Sequence, residues 1–309
     1  MIVTLTPNPA IDRIISVDRL AFEDRAYINS SRESAGGRGI NASSVIHSFG
    51  GRTLAVLPSG GDSGKRLETH LCNLGIPIAV VPIGKEIRTN FTVTDTHGLT
   101  VNLNEAGPEL SMEEVERIKS VLRETLGSAS WLLLCGSLPP GTPPSFYGEL
   151  VSIARRKNVK TWLRANGEAL RQGIEAGPTV AAPNQQEAER LLGRTLLTRT
   201  QFLEAAGKIR EMGPEAVVLS LGSRGAVGAY GDGPLEAVPP RIDAVCPIGA
   251  GDAFTAAYAW SMRRHPDHAE ALRWGVAAGT ASARLPGMNF ASLPQTEEMY
   301  RKVEVRRAE

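Results

Sequence analysis

The residues with the clearest chemical potential lie at Pro247-Ile248-Gly249-Ala250-Gly251-Asp252-Ala253-Phe254. A strand-like stretch, IDAVC (242–246), precedes them, and an apolar helical run, AFTAAYAWSM (253–262), follows. A Gly-x-Gly turn at a helix N-terminus points backbone N–H groups outward, and the helix dipole adds partial positive charge. Such a turn, here Gly249, Ala250 and Gly251, stabilises an anion such as a phosphoryl group in transfer. Asp252, beside it, is placed to take a proton from an attacking hydroxyl. A first-turn helix acid is also a common structural residue, so the segment alone leaves the two readings about even.

Further segments could hold ligands. Gly36-Gly37-Arg38-Gly39-Ile40-Asn41 stands at another helix start. Consecutive glycines allow close backbone approach to a polar ligand, and Asn41 offers both a donor and an acceptor. A tight turn with an N-cap would also explain them. Ser220-Leu221-Gly222-Ser223-Arg224-Gly225 follows an apolar strand, where ligands of open α/β sheets bind, and could wrap nucleotide phosphates. Asn184 and Glu187 share one face of a helix start. They could face hydrated Mg²⁺, or form an ordinary Asn N-cap with Glu at N3. SGGDSGKR (59–66) resembles a phosphate loop but lacks the first glycine and the final Ser/Thr, and reads as a loop before a helix. His265 and His268 flank Pro266 in a turn, where a solvated loop is favoured over a metal site.

These segments must be positioned by an alternation of strands and helices. Strands are expected at 2–6, 53–58, 76–83, 131–135, 159–164, 178–182 and 216–220. Helices are expected at 39–49, 64–74, 111–126, 144–157, 168–175, 185–192 and 200–212. Ser111 and Glu114 form a capping-box pattern. The alternation implies βαβ units and a parallel sheet covered on both faces. Residues 13–34 and 86–105 break the rhythm with short alternating segments. They predict a small antiparallel β element from two insertions, able to act as a lid over a site.

The chain has 309 residues, with 34 Lys+Arg against 33 Asp+Glu. That balance argues against a nucleic-acid binder, which needs a basic surplus. No apolar run approaches the ~20 residues that span a bilayer, and the N-terminus has no signal-peptide pattern. Cys72, Cys135 and Cys246 form no CxxC pair, which points to a reducing, cytoplasmic setting. A dinucleotide-binding dehydrogenase is excluded because the first turn, Thr6-Pro7-Asn8-Pro9, lacks G-x-G-x-x-G.

Taken together, IGAGDAF (248–254) and AGGRGIN (35–41) resemble the PfkB/ribokinase family of carbohydrate kinases. TPNPAIDR (6–13), LCGSLPPG (134–141) and Asn184-x-x-Glu187 resemble its 1-phosphofructokinase/tagatose-6-phosphate kinase branch, across nearly the whole chain. The resemblance implies a single ribokinase-like domain over 1–309: a three-layer α/β/α fold with a mostly parallel central sheet and a small β-strand lid. It implies ATP and Mg²⁺ as cofactors, a small sugar phosphate as acceptor, and a homodimer through the lid. Asp252 would be the base, and Gly249, Ala250 and Gly251 the anion hole. Asp12, Gly36, Gly37, Arg38, Asn41, Arg88, Ser137 and Arg25 would bind substrate. Asn184, Ser220, Gly222 and Gly225 would bind nucleotide, and Glu187 with Asn184 would face magnesium through water. Arg25, Arg38 and Arg88 would offset the charge of two phosphorylated ligands. The alternatives are a kinase of a neutral sugar or nucleoside, or a weakly catalytic sugar-phosphate-binding regulator. The second is motivated by departures from the family pattern: Ala182 replaces a basic residue, Arg164 an acid, and Ala253 a serine.

Overall fold

A computed structural model describes residues 1–21, 24–287 and 289–308. Its large sheet is ordered Glu304–Arg307, Gly233–Val238, Ala226–Tyr230, Ala216–Ser220, Val180–Ala181, Lys160–Arg164, Trp131–Cys135, Ile2–Leu5, Thr53–Ser59 and Ile78–Pro82. The last seven run parallel, and the first three add antiparallel at one edge. Strands from both ends of the chain therefore share one sheet.

The apolar runs explain why both faces are covered. Along Trp131–Cys135, Leu132 and Leu134 enter one core, with the helices Gly61–Asn73, Met112–Thr125 and Phe146–Arg156. Trp131, Leu133 and Cys135 enter the other, beneath Arg38–Ser48, Ala250–Arg264 and His268–Ala283. A strand buried on both faces carries no polar alternation, the pattern expected of parallel sheets. The result is the expected three-layer architecture. The Ser111–Glu114 capping box forms, with Ser111 Oγ accepting from Glu114 N–H at 3.2 Å and Glu114 Oε2 accepting from Ser111 N–H at 2.7 Å.

A second, four-stranded sheet is ordered Ile28–Gly36, Ala10–Val17, Arg88–Asp95 and Thr100–Asn104. It occupies the two stretches marked as a lid, but it is not purely antiparallel. Its two outer pairs are antiparallel hairpins, whereas the central pair, Ala10–Val17 with Arg88–Asp95, is parallel. Each insertion folds as its own hairpin, and the two join side by side.

Three local expectations are corrected. SGGDSGKR is not a loop before a helix, because the helix begins at Gly61. Glu86 accepts from both the backbone N–H and the hydroxyl of Ser63, at 2.8 and 2.6 Å, and so satisfies that first turn from outside it. The stretch 242–246 is not a strand; Val245 and Cys246 both donate their N–H groups to Ala283 O. His268 is not in a solvated loop but opens a helix, its Nδ1 2.7 Å from the Tyr258 hydroxyl and its ring stacked on Tyr230. Among the described residues, no helix is long and apolar enough to cross a membrane.

Candidate active site

The site forms where the parallel strands end. Leu5, Cys135, Arg164, Ala181 and Ser220 are the C-terminal residues of neighbouring strands, and their connecting loops open on one side of the sheet. The small sheet begins five residues beyond Leu5, so its first strand starts at the same edge.

One wall of the candidate site is a set of register partners. Asp12 pairs with Ser34 on one side and Asn90 on the other, while Ala10 pairs with Gly36 and Arg88. Because side chains alternate, these residues share one face of the small sheet. Asn90 Nδ2 donates to Asp12 Oδ1 at 2.8 Å. A Cβ at residue 36 would lie 2.5 Å from Asp12 Oδ1 and closer still to Cγ, so only glycine leaves room for that carboxylate. Burial holds the Asp12 carboxyl above its ordinary range, against the opposing pull of Asn90 and Arg88. Arg88 donates to Asn8 O and Glu105 O, each at 3.0 Å, and its charge is disfavoured by burial.

The neighbouring helix Arg38–Ser48 starts at Gly37, whose φ of 133° suits glycine. Its third residue past Arg38, Asn41, donates from Nδ2 to Asp252 Oδ2 at 2.8 Å, joining this helix start to the candidate base. Gly249 adopts a left-handed φ of 80° and turns the chain into the Ala250–Arg264 helix. Asp252 N–H and Ala253 N–H both donate to Gly249 O, and Ala250 N–H turns back to Pro247 O at 3.2 Å. Among the described residues, Gly249 and Gly251 N–H have no backbone acceptor outside the helix, so two of the three expected amides are left without a backbone partner.

Asp252 has a second partner. Arg164 Nη1 donates to Asp252 Oδ1 in an ion pair, with the two side chains only 15% and 8% exposed. Both carboxylate oxygens are thus engaged. Burial pushes the adjacent Cys135 thiol up to about 12, with Arg164, Asp252 and Arg38 acting on it as nearby charges.

A cleft of about 1720 Å³ extends from Arg164 past Asn184, Ser220, Gly222 and Gly225 to the Ala250–Gly251 turn. Its size suits a nucleotide. Asn184 and Ser220 are joined by a parallel bridge, while Gly222 and Gly225 take φ of 61° and 89° in the turn between them. Asn184 and Glu187 make a complete capping box, with bonds of 2.8 and 2.9 Å. Glu187 Oε1 also faces Arg38 Nη1 at 3.5 Å. Among the described residues, no group of three or more His, Cys, Asp or Glu could cage a metal. Both Glu187 oxygens are engaged within the protein, Oε2 by the Asn184 N–H and Oε1 by Arg38, so a cation here would be met through water rather than caged by side chains.

Ser137 lies half-buried just past Gly136, whose N–H donates to Arg164 O at 2.9 Å. Arg25 is not brought to this cluster; it is exposed in the segment before Ile28, and its backbone N–H donates to the Asp24 side chain. Sequence reasoning missed Asn90 as the partner of Asp12. The signal was present in the alternation of NFTVTD, but only the inter-strand register puts residue 90 opposite residue 12. It also missed the pairing of Arg164 with Asp252.

The pfkB family carbohydrate kinase model matches residues 6–296. The ATP-dependent 6-phosphofructokinase isozyme 2 of Mycobacterium tuberculosis is 33% identical over 303 residues, covering 97% of this chain and 88% of that protein. The 1-phosphofructokinase of Vibrio cholerae is 25% identical, covering 98% and 96%. The crystal structure of phosphofructokinase-2 from Escherichia coli in complex with potassium superimposes with a TM-score of 0.93 at 29% identity, over 97% of this chain and 98% of that one. This chain belongs to the pfkB family of carbohydrate kinases.

Proposed function

We propose that this chain transfers the γ-phosphate of ATP to a hydroxyl of a phosphorylated ketohexose of the fructose 1-phosphate, fructose 6-phosphate or tagatose 6-phosphate type. The observation that carries the acceptor class is the distribution of unpartnered buried polar atoms. Among the described residues, Asn8 Oδ1, Ser34 Oγ, Arg88 Nε and Asn90 Oδ1 lack hydrogen-bond partners, and all belong to segments that meet around Asp12. Buried polar groups are normally satisfied, so such a cluster implies a polyhydroxylated occupant. The arginine donor within it, Arg88 Nε, calls for an anionic group on that occupant. The relatives named as phosphofructokinases favour the same substrate class.

In this reading, Asp12 and Asn90 orient the acceptor hydroxyls, and Asp252 accepts the proton of the attacking one. The Gly249 and Gly251 amides meet charge on the transferring group. Mg²⁺, when bound with the nucleotide, supplies neutralising charge to the phosphate oxygens. Apolar side chains Val101 and Leu103 are exposed on the small sheet and Leu99 just before its last strand, and register puts Val101 opposite Val93 and Leu103 opposite Phe91, on the face away from Asp12. They suit a homodimer through that face. The unpaired cysteines suit a reducing, cytoplasmic setting.

The test is kcat/KM with ATP for fructose 1-phosphate, fructose 6-phosphate, tagatose 6-phosphate and ribose. Turnover of a phosphorylated ketose above ribose is the expected result, with Arg88→Ala raising that acceptor's KM far more than the KM for ATP. Preference for ribose, or no turnover on any of them, overturns the reading.

A further inference from the structure

Asp252 does not stand free for an acceptor hydroxyl. One oxygen accepts from Asn41, and the other is held by Arg164. Arg164 ends the Lys160–Arg164 strand and lines the nucleotide-sized cleft. A Cβ at residue 251 would lie 2.9 Å from Arg164 Cζ and closer to Nη2, so the guanidinium packs directly on the turn that carries the two amides without backbone partners. A guanidinium has five N–H donors. Among the described residues, only Asp252 accepts from this one. The remaining donors are available at the cleft.

Arg241, Arg284 and Lys302 also line the cleft, but Arg164 is the basic side chain packed against Gly251. Arg38 faces Glu187, and Arg88 is committed to the carbonyls of Asn8 and Glu105 on the acceptor side. The adjoining strand end, whose Ala182 N–H donates to Leu163 O, presents only a methyl group. We propose that Arg164 is a catalytic cation that holds Asp252 in the free protein and transfers to the γ-phosphoryl group of the bound nucleotide. The proposal rests on the kinase reading above.

The physical basis is competition for one guanidinium. A phosphoryl group offers several charged oxygens in a geometry that a planar guanidinium can grip bidentately, whereas Asp252 holds it through one oxygen. Nucleotide arrival would draw Arg164 off Asp252 and free Oδ1 for the acceptor hydroxyl. The hydroxyl proton then passes to Asp252 as the acceptor oxygen forms its bond to the γ-phosphorus. The bond from that phosphorus to the bridging oxygen breaks, and its electron pair leaves with ADP. Arg164 and the two unpartnered amides meet the charge on the transferring oxygens. The base thus becomes available only when the phosphoryl donor is in place.

The test measures binding of ADP and of the non-hydrolysable triphosphate AMP-PNP by titration calorimetry. The proteins are the wild type, Arg164→Ala and Arg164→Lys, each also carrying Asp252→Asn in a second series. With residue 252 neutral, any triphosphate-specific loss belongs to Arg164 rather than to an exposed carboxylate. About a tenfold loss for AMP-PNP is expected in Arg164→Ala, worth about 1.4 kcal/mol, with ADP affinity within twofold. Arg164→Lys should recover part of it. With the best acceptor, kcat should fall roughly 10²–10³-fold in Arg164→Ala while acceptor KM stays within a few-fold. Unchanged ADP binding reports that the variant is folded; if Arg164→Ala does not fold, Arg164→Gln replaces it. Equal losses for both nucleotides, no loss for either, or a kcat at or above wild type overturns the proposal. If no acceptor is turned over yet the nucleotide pattern holds, the sugar-phosphate reading fails and the assignment of Arg164 to the γ-phosphoryl group stands.

Discussion

Gly36→Ala isolates one atom's worth of space at the acceptor floor. Residue 36 has no positive φ, so alanine introduces no backbone strain there. The new methyl would sit 2.5 Å from Asp12 Oδ1, where ordinary contact begins at 3.4 Å. The carboxylate must therefore retreat by about 1 Å, a displacement that at a reacting centre costs on the order of 10²-fold in rate. Retreat also stretches the 2.8 Å bond from Asn90. A hydrogen bond to a charged group is worth about 1.5–3 kcal/mol, and each 1.36 kcal/mol is tenfold, so the two routes to the magnitude agree. The expected outcome is a fall of about 10–100-fold in kcat/KM for the sugar phosphate, with nucleotide affinity measured by calorimetry within twofold. Steady-state kinetics over a range of acceptor concentrations reads it directly. If the variant is folded and its kcat/KM stays within threefold of wild type, Asp12 does not orient the acceptor.

Three other perturbations address the base, the buried carboxyl and the fold. Asp252→Asn should lower kcat by at least about 10²-fold, as removal of a general base does, while AMP-PNP still binds; a near-normal kcat in a coupled assay would remove Asp252 from the mechanism. Asp12→Asn should raise acceptor KM yet raise Tm at pH 7. Burial lifts the folded carboxyl above 3.8, so this group's contribution to stability is full below that value and lost as pH rises through the folded pKa. The Tm difference between Asp12→Asn and wild type should close as pH drops below 3.8, and a difference independent of pH would refute the burial argument. Ser111→Ala removes the Met112–Thr125 cap, which touches none of the candidate site side chains, and should cost about 0.5–2 kcal/mol in urea unfolding with kcat unchanged.

Local patterns proved sufficient for most elements. The WLLLC strand and the helix opened by Ser111 match their expected positions because their causes, a continuous apolar run and a capping box, lie within the segment itself. The Gly61 helix start was not legible because the carboxylate that stabilises its first turn comes from Glu86. The site divides in the same way. Gly249–Asp252 could be read as a turn with an acid at a helix start, since those features are contiguous. The partners of Asp252 could not be read, because Asn41 and Arg164 come from other elements, 211 and 88 residues away along the chain. The parallel join at the centre of the small sheet was hidden for a related reason: each hairpin is locally complete, and only packing determines how the two meet. Asn184 and Glu187 illustrate a different limit, since one short motif encodes a helix cap and could also face a hydrated cation.

The register row Ser34–Asp12–Asn90 has a consequence for how this protein could acquire new acceptors. These side chains lie on the small sheet, whereas the proposed proton acceptor and the unpartnered amides beside it belong to the start of the Ala250–Arg264 helix. Exchanges at residue 34 or 90 alter the shape and polarity offered to a sugar without touching the turn at 249–251. Adaptive drift toward another sugar can therefore proceed by single steps on one strand pair, each leaving the phosphoryl-transfer apparatus intact and open to selection on its own terms.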